Sequence, residues 1–164
     1  MYFEKGIVFY PLFIFITTKT KLAMNSETLH NIHWLGALLG GLAYFVLGAI
    51  WYSKALFAPK WIEYCKIDVN DPKAKKGMAG IFICSFILMF ATSFAIAVLA
   101  YKLQTYGAVG GAKLGFFTGA FLGTTALSIS YIYEKRPLGL YLINGGYTIV
   151  GSMIAGAIIC SMLR

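Results

Sequence analysis

The stretch MAGIFICSFILMFATSFAIAVLAYKL, residues 78–103, decides the fold class of this chain. It contains no Asp or Glu, and its single lysine stands one residue before the end. A helix needs about 20 mainly apolar residues to cross the hydrocarbon core of a bilayer. Its apolar residues run on without the alternation that is typical of barrel strands. The stretch is therefore predicted to be a transmembrane helix.

Three more stretches have the same character, at 34–52, 113–133 and 140–163. None contains an acidic residue, and Lys113 stands at an end, where its amine can reach the membrane surface. The sequence therefore predicts an all-α membrane protein, a bundle of four transmembrane helices formed by residues 24–164.

Overall composition excludes several other classes of protein. Of the 164 residues, 59% are hydrophobic and only 12% are charged, whereas soluble domains carry about a quarter charged residues. A soluble enzyme, a disordered region and a nucleic-acid-binding module are all disfavoured. The net charge of +8 lies between the apolar stretches, where basic loops retained in the cytoplasm account for it. No nucleic-acid partner is expected.

The distribution of basic residues predicts an orientation. The loop 53–77 carries six lysines and the loop 134–139 adds Lys135 and Arg136, against about three basic residues near the spans on the other side. Because basic loops stay in the cytoplasm, both loops are predicted there and both termini outside. The expected location is the cell inner (plasma) membrane, crossed several times.

Aromatic residues mark the edges of the bilayer. Trp34, Trp51 and Tyr52 frame the first predicted span, at the depth of the interfacial belts. After this span, apolar residues recur at helical spacing and basic or acidic residues oppose them; the apolar set is Leu56, Phe57, Trp61, Tyr64 and Cys65. This pattern predicts an amphipathic helix in the interface plane between the first and second spans, with Trp61 as a further anchor.

Residues 1–23 form an apolar tail whose role the sequence leaves open. Its apolar part is about a dozen residues long and contains Pro11, so it is too short for a span. Translation starting at Met24, a loosely attached tail, a segment bound to the membrane surface and a processed signal peptide are the alternatives.

Small residues at intervals of four predict close helix packing. Gly111, Gly115, Gly119 and Gly123 form a ridge on the third span. Similar positions on the other spans are Gly36, Gly40 and Gly156. Within lipid, such residues let backbones approach. The contact is expected either within one chain or between chains. Beside the lipid bilayer, the expected partner is a second copy of the chain, in a homo-oligomer, or another membrane protein.

The first and third spans also resemble each other. A constant offset relates Gly36, Gly40 and Tyr52 to Gly115, Gly119 and Tyr131. A duplication of the kind found in transporter folds would produce this pattern, and so would coincidence, because glycine and interfacial tyrosine are common in membrane helices.

The sequence gives little support for a catalytic function. All acidic residues lie in predicted loops or tails, so the protein is expected not to be an enzyme and to need no cofactor. Glu27, His30 and His33, spaced i, i+3, i+6, are the weak candidates for a metal site, but their drift around a helix favours a role as polar residues capping the first span.

A polar group at the start of the fourth span is the remaining candidate site. Asn144 needs hydrogen-bond partners inside the membrane, and Thr124, Thr125 and Ser128 are the nearest candidates on the third span. Tyr147 lies one turn further on. These residues either hold helices together or line a small polar site. The leading hypothesis is a non-enzymatic protein that self-associates or binds a partner; the alternative is a small passive channel or facilitator for a small solute.

Several of these segments resemble a known bacterial membrane family. They are LGAIWYS at 47–53 with Leu56, Phe57, Lys60 and Trp61, then Arg136-Pro-Leu, LINGGY at 142–147 and Gly156-Ala-Ile. Together they are similar to the family catalogued as domain of unknown function 1761, from about Asn31 to the end. The resemblance implies a compact four-helix membrane protein and no activity, ligand or catalytic residue. Lys54 replaces an expected proline, and the tail before Met24 is extra.

Overall fold

The computed structural model describes residues 26–68 and 77–163, which form six helices and no strand. The helices are α1 (Ser26–Asn31), α2 (Trp34–Trp51), α3 (Ala58–Cys65), α4 (Met78–Lys102), α5 (Gly107–Tyr133) and α6 (Leu138–Met162). The tail 1–23 lies outside the described residues, so the alternatives for it stay open.

The chain divides into two units, one ending at Asn31 and the other beginning at Ile32. In the first unit the described helix is α1, in which the side-chain amide of Asn31 donates a hydrogen bond to the carbonyl of Glu27 at 2.8 Å. All further contacts described below lie within the second unit.

Four helices, α2, α4, α5 and α6, are long and apolar enough to cross a membrane, which confirms the predicted four-helix transmembrane fold. The bounds of α2 and α4 agree with the predicted spans to within one residue. Helix α6 begins at Leu138, two residues before the predicted start at 140, and ends at Met162.

Helix α5 begins six residues before the predicted start of the third span. Helix α5 begins at Gly107, whose φ of +75° suits glycine, and not at Lys113. The segment 107–112 is rich in glycine and alanine, so its apolar character is weak although its backbone is helical. With 27 residues, α5 rises about 40 Å, longer than the hydrocarbon core, which leaves Lys113 about 9 Å from the first residue and near the surface.

Helix α5 is interrupted by a wider π-helical segment, Thr118–Thr124. The Thr118 hydroxyl donates to the carbonyls of Leu114 and Gly115 at 3.1 Å, and Thr125 donates to Phe121 at 2.6 Å. Such segments change the register of one helix face with respect to the next. Gly123, near the end of this segment, therefore does not continue the line of Gly111 and Gly115.

Helix α6 is the most buried of the four spans and α5 the least. The most extensive helix pair is α5 with α6, while α2 packs on both α4 and α6. The core between them consists of small and branched side chains, namely Ala37, Ile96, Ala97, Ala100, Ala155, Ile159 and Cys160. In this core the Ser93 hydroxyl of α4 donates to the carbonyl of Ala37 on α2 at 2.7 Å.

The short helix α3 is the amphipathic helix that the sequence predicts between the first two spans. Its inner face packs on the bundle: the Trp61 and Tyr52 rings lie 5.5 Å apart, and Tyr64 lies against Gly139 of α6. On its outer face Lys60 forms a 2.9 Å ion pair with Glu63, which raises the pKa of Lys60. The helix ends at Cys65, and the next residue, Lys66, has a φ of +55°.

Candidate functional site

Three glycines of the predicted ridge lie against the backbone of α6 in the same chain. A Cβ atom on Gly111 would overlap the carbonyl of Gly156, and one on Gly115 would overlap the carbonyl of Ser152. At Gly119 a Cβ would lie 2.9 Å from the Cα of Ile149. These positions leave no space for a side chain, because a main-chain neighbour cannot rotate away.

The fourth glycine of the ridge differs. A Cβ on Gly123 would meet the methyl group of Thr148 at 2.6 Å, and beyond that the Thr118 carbonyl oxygen of its own helix at 3.9 Å. Gly123 follows the start of the π-helical segment, whose wider turn moves it away from the α6 backbone.

Helix α2 presents its own glycines to another side of α6. A Cβ on Gly40 would lie 3.2 Å from the carbonyl oxygen of Ala155, and one on Gly36 would lie 3.5 Å from the Cα of Ile159. Helix α6 is therefore held between glycine faces of α2 and α5. The predicted packing glycines are placed in contacts within the chain.

Asn144 lies between two tyrosines at one end of the bundle. The Tyr52 hydroxyl of α2 donates to Oδ1 of Asn144 at 2.8 Å, and the Asn144 amide donates to the Tyr131 hydroxyl of α5 at 2.6 Å. At the adjacent residues of both helices, the Trp51 indole N–H donates to the carbonyl of Ile143 at 3.0 Å. The amide thus joins α2, α5 and α6 through side chains that each helix presents at the same depth.

A second pair of tyrosines continues this cluster into the membrane. The rings of Tyr44 and Tyr147 lie 5.1 Å apart, and the Tyr147 hydroxyl donates to the carbonyl of Tyr44 at 3.3 Å. Tyr44 in turn donates to the carbonyl of Thr148 at 3.4 Å, and its ring covers Gly151. The Tyr147 hydroxyl also lies 3.4 Å from the Met89 sulfur of α4.

The other residues of the predicted polar site do not join Asn144. Thr124 donates to the carbonyl of Gly145 at 3.2 Å, so it contributes to the α5–α6 contact. Thr125 is exposed and bonds only to carbonyls of its own helix, and Ser128 is half-buried on the same helix. The partners of Asn144 are tyrosines because their longer side chains reach it across the gap between helices.

A cavity of about 770 Å³ opens beside the tyrosines, between α2, α3, α4 and α6. We call it the aromatic cavity. Its lining is apolar or aromatic apart from Ser85 and the ends of two tyrosines; the residues are Phe45, Gly48, Ala49, Tyr52, Trp61, Ile62, Ile67, Met78, Ile81, Phe82, Ser85, Met89 and Tyr147. Its volume lies within the range of small-molecule sites, about 300–1,000 Å³.

The aromatic cavity has a defined depth and opening. Met78 and Met89 both line it and are separated by 11 residues of α4, which is a rise of about 16 Å, or half the hydrocarbon core. Ile81 and Phe82 line it although they are 57% and 53% exposed. The cavity therefore opens sideways, between helices, toward the space that lipid occupies.

The predicted anchors serve different purposes. Trp34 is 49% exposed at the start of α2 and its ring lies 5.3 Å from that of Phe94. Trp51, Tyr52 and Trp61 turn inward to the aromatic cluster instead of pointing only to the membrane surface.

The metal candidates are not brought together as a ligand group. Among residues 26–68 and 77–163, no three His, Cys, Asp or Glu side chains form a group that could hold a metal ion. Nδ1 of His33 accepts a hydrogen bond from the backbone N–H of Gly36 at 3.0 Å, which caps α2. Glu27 and His30 lie on α1.

Sequence reasoning missed Tyr131 and Met89 as members of this region. Tyr131 was available as the counterpart of Tyr52 in the repeat-like offset, and the structure places both on Asn144. No sequence signal indicated Met89, because one methionine in an apolar span does not stand out.

Fold and site together define the class: a four-helix, multi-pass membrane protein with an aromatic cavity that opens sideways at one end of its bundle. The chain belongs to the family described as Protein of unknown function (DUF1761), which it matches over residues 35–160. No curated protein and no solved structure matches it. The two segments that carry the resemblance most specifically, 47–53 and 142–147, meet at the bond between Tyr52 and Asn144.

Proposed function

We propose that this protein is a non-enzymatic protein of the cell inner membrane that acts by binding an amphipathic, mainly apolar ligand in the aromatic cavity. The observation that carries the proposal is the lining of that cavity, in which apolar and aromatic side chains surround a volume of about 770 Å³. Such a lining favours an apolar body and gains free energy by removing it from water.

The polar groups at the cavity also support binding over catalysis. The Tyr52 hydroxyl donates to Asn144 and the Tyr147 hydroxyl donates to the carbonyl of Tyr44. Apart from these two tyrosines, whose hydroxyls are already donated to protein acceptors, the lining contains no Asp, Glu, His, Lys or Cys. General acid–base and nucleophilic catalysis both need such a group next to the substrate.

The orientation of the protein in the membrane is also part of the proposal. The loops 53–77 and 134–139 together carry eight basic residues, so they lie in the cytoplasm and the termini lie outside. Helix α3 and the mouth of the aromatic cavity then belong to the cytoplasmic leaflet.

A second copy of the chain, or another membrane protein, is the further partner that we propose. The glycines that first suggested it are occupied by α6 of the same chain, so association has to use another surface. The lipid-facing side of α5 offers one, because Phe117 and Phe121 stack at 5.2 Å and are 56% and 57% exposed. A native mass of the purified protein equal to one chain would contradict self-association.

A passive channel or facilitator is less well supported. Its polar path would use Asn144, Tyr147, Thr118, Thr124, Thr125 and Ser128. Most of these groups are already bonded within the protein: the three threonine hydroxyls and that of Tyr147 donate to backbone carbonyls, and the Asn144 amide donates to Tyr131. Solute flux into proteoliposomes that requires these hydroxyls would favour the channel over ligand binding.

The test of ligand binding uses palmitate with a photoreactive diazirine, added to membranes that contain the protein. Annular lipid reaches Ile83 and Leu88, which are 61% and 67% exposed, whereas Tyr147 is only 8% exposed. We expect labelling of the peptide that contains Tyr147, and its loss in Ala49→Phe, which fills the cavity. The matched control Ala91→Phe adds the same ring at another exposed alanine of a span.

Labelling confined to Ile83 and Leu88 would show only annular contact and would contradict the proposal. Equal labelling of the Tyr147 peptide in wild type and Ala49→Phe would contradict it as well, because the probe would then reach this peptide by another route.

A further inference from the structure

We infer that the aromatic cavity holds one acyl chain of an anionic glycerophospholipid, whose head group lies beside Lys66. This inference rests on the proposed function and names the class of ligand. It follows from the depth of the cavity, the position of its opening and the charges at its mouth.

The depth fits an acyl chain from one leaflet. The lining extends from Met78, in the first turn of α4, to Met89, about 16 Å further along the helix. A chain that starts at the membrane surface reaches about half of the 30 Å hydrocarbon core. The cavity and one leaflet therefore end at the same depth.

The opening fits a lipid that stays in its bilayer. Ile81 and Phe82 form part of the lining and are more than half exposed on the surface of α4. A phospholipid can place one chain through this side opening and keep the other outside. A free fatty acid needs no such side opening, because it carries no second chain that must remain in the bilayer.

The mouth carries positive charge. Trp61 and Ile62 of α3 line the cavity, and so does Ile67, two residues after the helix ends. Lys60 is paired with Glu63, but Lys66 is exposed and adjoins Ile67 in the chain. The described residues of the loop 53–77, namely 53–68, carry three lysines against Glu63 and Asp68, which leaves a net positive charge. An anionic head group is attracted to such a surface more strongly than a zwitterionic one.

The experiment is native mass spectrometry of the full chain released from nanodiscs that contain equal amounts of phosphatidylglycerol and phosphatidylcholine. We expect one retained lipid, mainly phosphatidylglycerol. Ala49→Phe should lower its occupancy by about tenfold or more, because the added ring takes the volume of several methylene groups. Ala91→Phe, with its ring outside the cavity, should retain the lipid.

A charge variant tests the head group separately. Lys66→Gln should reduce the preference for phosphatidylglycerol by about fivefold, whereas Lys113→Gln on α5 should not change it. Retention of the same lipid by wild type and Ala49→Phe overturns the inference, and so does equal retention of both lipids by wild type.

The two proposals fail in different ways. If the photoreactive palmitate labels the Tyr147 peptide but no phospholipid is retained, ligand binding stands and the inference about phospholipid is wrong. If Ala49→Phe changes neither the labelling by palmitate nor the retention of phospholipid, both proposals are wrong.

Discussion

Replacing Gly115 by alanine tests how α5 and α6 are held together. A Cβ at this position would overlap the carbonyl group of Ser152 and approach the Cα of Met153, all of them main-chain atoms. A rotamer change cannot relieve this overlap, so the two helices have to separate. Gly80, on α4, is the matched control, because a Cβ there meets nothing within 4 Å.

The expected magnitude follows from this difference. A separation of about 0.5–1 Å removes a quarter to a half of the dispersion attraction at each contact between the helices. Added atoms in a packed core typically cost about 1–3 kcal/mol, and a backbone overlap belongs at the upper end. The gain in helix propensity from glycine to alanine is common to both variants, so their difference, about 2–3 kcal/mol, reports the steric cost.

The same reasoning predicts a graded series. Gly119→Ala should cost less than Gly115→Ala, because the Cα of Ile149 is 2.9 Å from the new Cβ and has to move only a few tenths of an ångström. Gly123→Ala should cost least of the three, because the methyl group of Thr148 can move aside.

The assay is reversible unfolding in mixed micelles of dodecyl maltoside and sodium dodecyl sulfate, followed by tryptophan fluorescence. If Gly115→Ala unfolds within about 0.5 kcal/mol of Gly80→Ala, or if Gly123→Ala is the most damaging of the series, the proposed packing of α5 on α6 is wrong.

Three other predictions concern the aromatic cluster, the orientation and α3. A double-mutant cycle of Asn144→Leu and Tyr52→Phe should give a coupling of about 0.6–1.7 kcal/mol in the same unfolding assay, as for other hydrogen bonds in membranes, and zero coupling would refute the bond. In a protein whose native cysteines are replaced, Lys54→Cys should react with an impermeant maleimide only after the cells are permeabilised, because its loop is cytoplasmic. Tyr106→Cys should react in intact cells. The reverse pattern would show that the topology is inverted. Burial raises the pKa of the Cys65 thiol, so its thiolate forms only at higher pH. When the alkylation rate is measured against pH, the midpoint for Cys65 should therefore be higher than that for Lys54→Cys. An equal or lower midpoint would contradict the position of α3.

The spans could be predicted from sequence because a segment that crosses a hydrocarbon core has to be mainly apolar over about 20 residues. The first 24 residues of α4, 78–101, carry no charged side chain. The hydrocarbon core therefore limits closely where this span can begin and end. The start of α5 was missed because the segment 107–112 is helical but only weakly apolar.

The packing glycines were visible as a pattern, but their partner was not. Spacing by four shows that a helix face is small, whereas the identity of the opposing helix depends on the tertiary arrangement. The π-helical segment Thr118–Thr124 was also hidden, because it arises from hydrogen bonding within the helix. It explains why Gly123 departs from the line of Gly111 and Gly115.

The site was predicted in part. Asn144 was identified because an amide inside the membrane needs partners, but short threonines were named as the candidates. Tyrosines near helix ends are normally interpreted as anchors at the membrane surface, which concealed the role of Tyr52 and Tyr131. The cavity depends on how four elements meet, and no single segment encodes it.

The central claim is that an acyl chain occupies the aromatic cavity. The most direct measurement is a density map of the protein in lipid nanodiscs, at a resolution that shows acyl chains. The account predicts an elongated density that enters between Ile67 and Ile81 and passes Ala49 to Met89. A cavity closed by its own side chains, or filled by ordered water between Tyr52 and Tyr147, would contradict it.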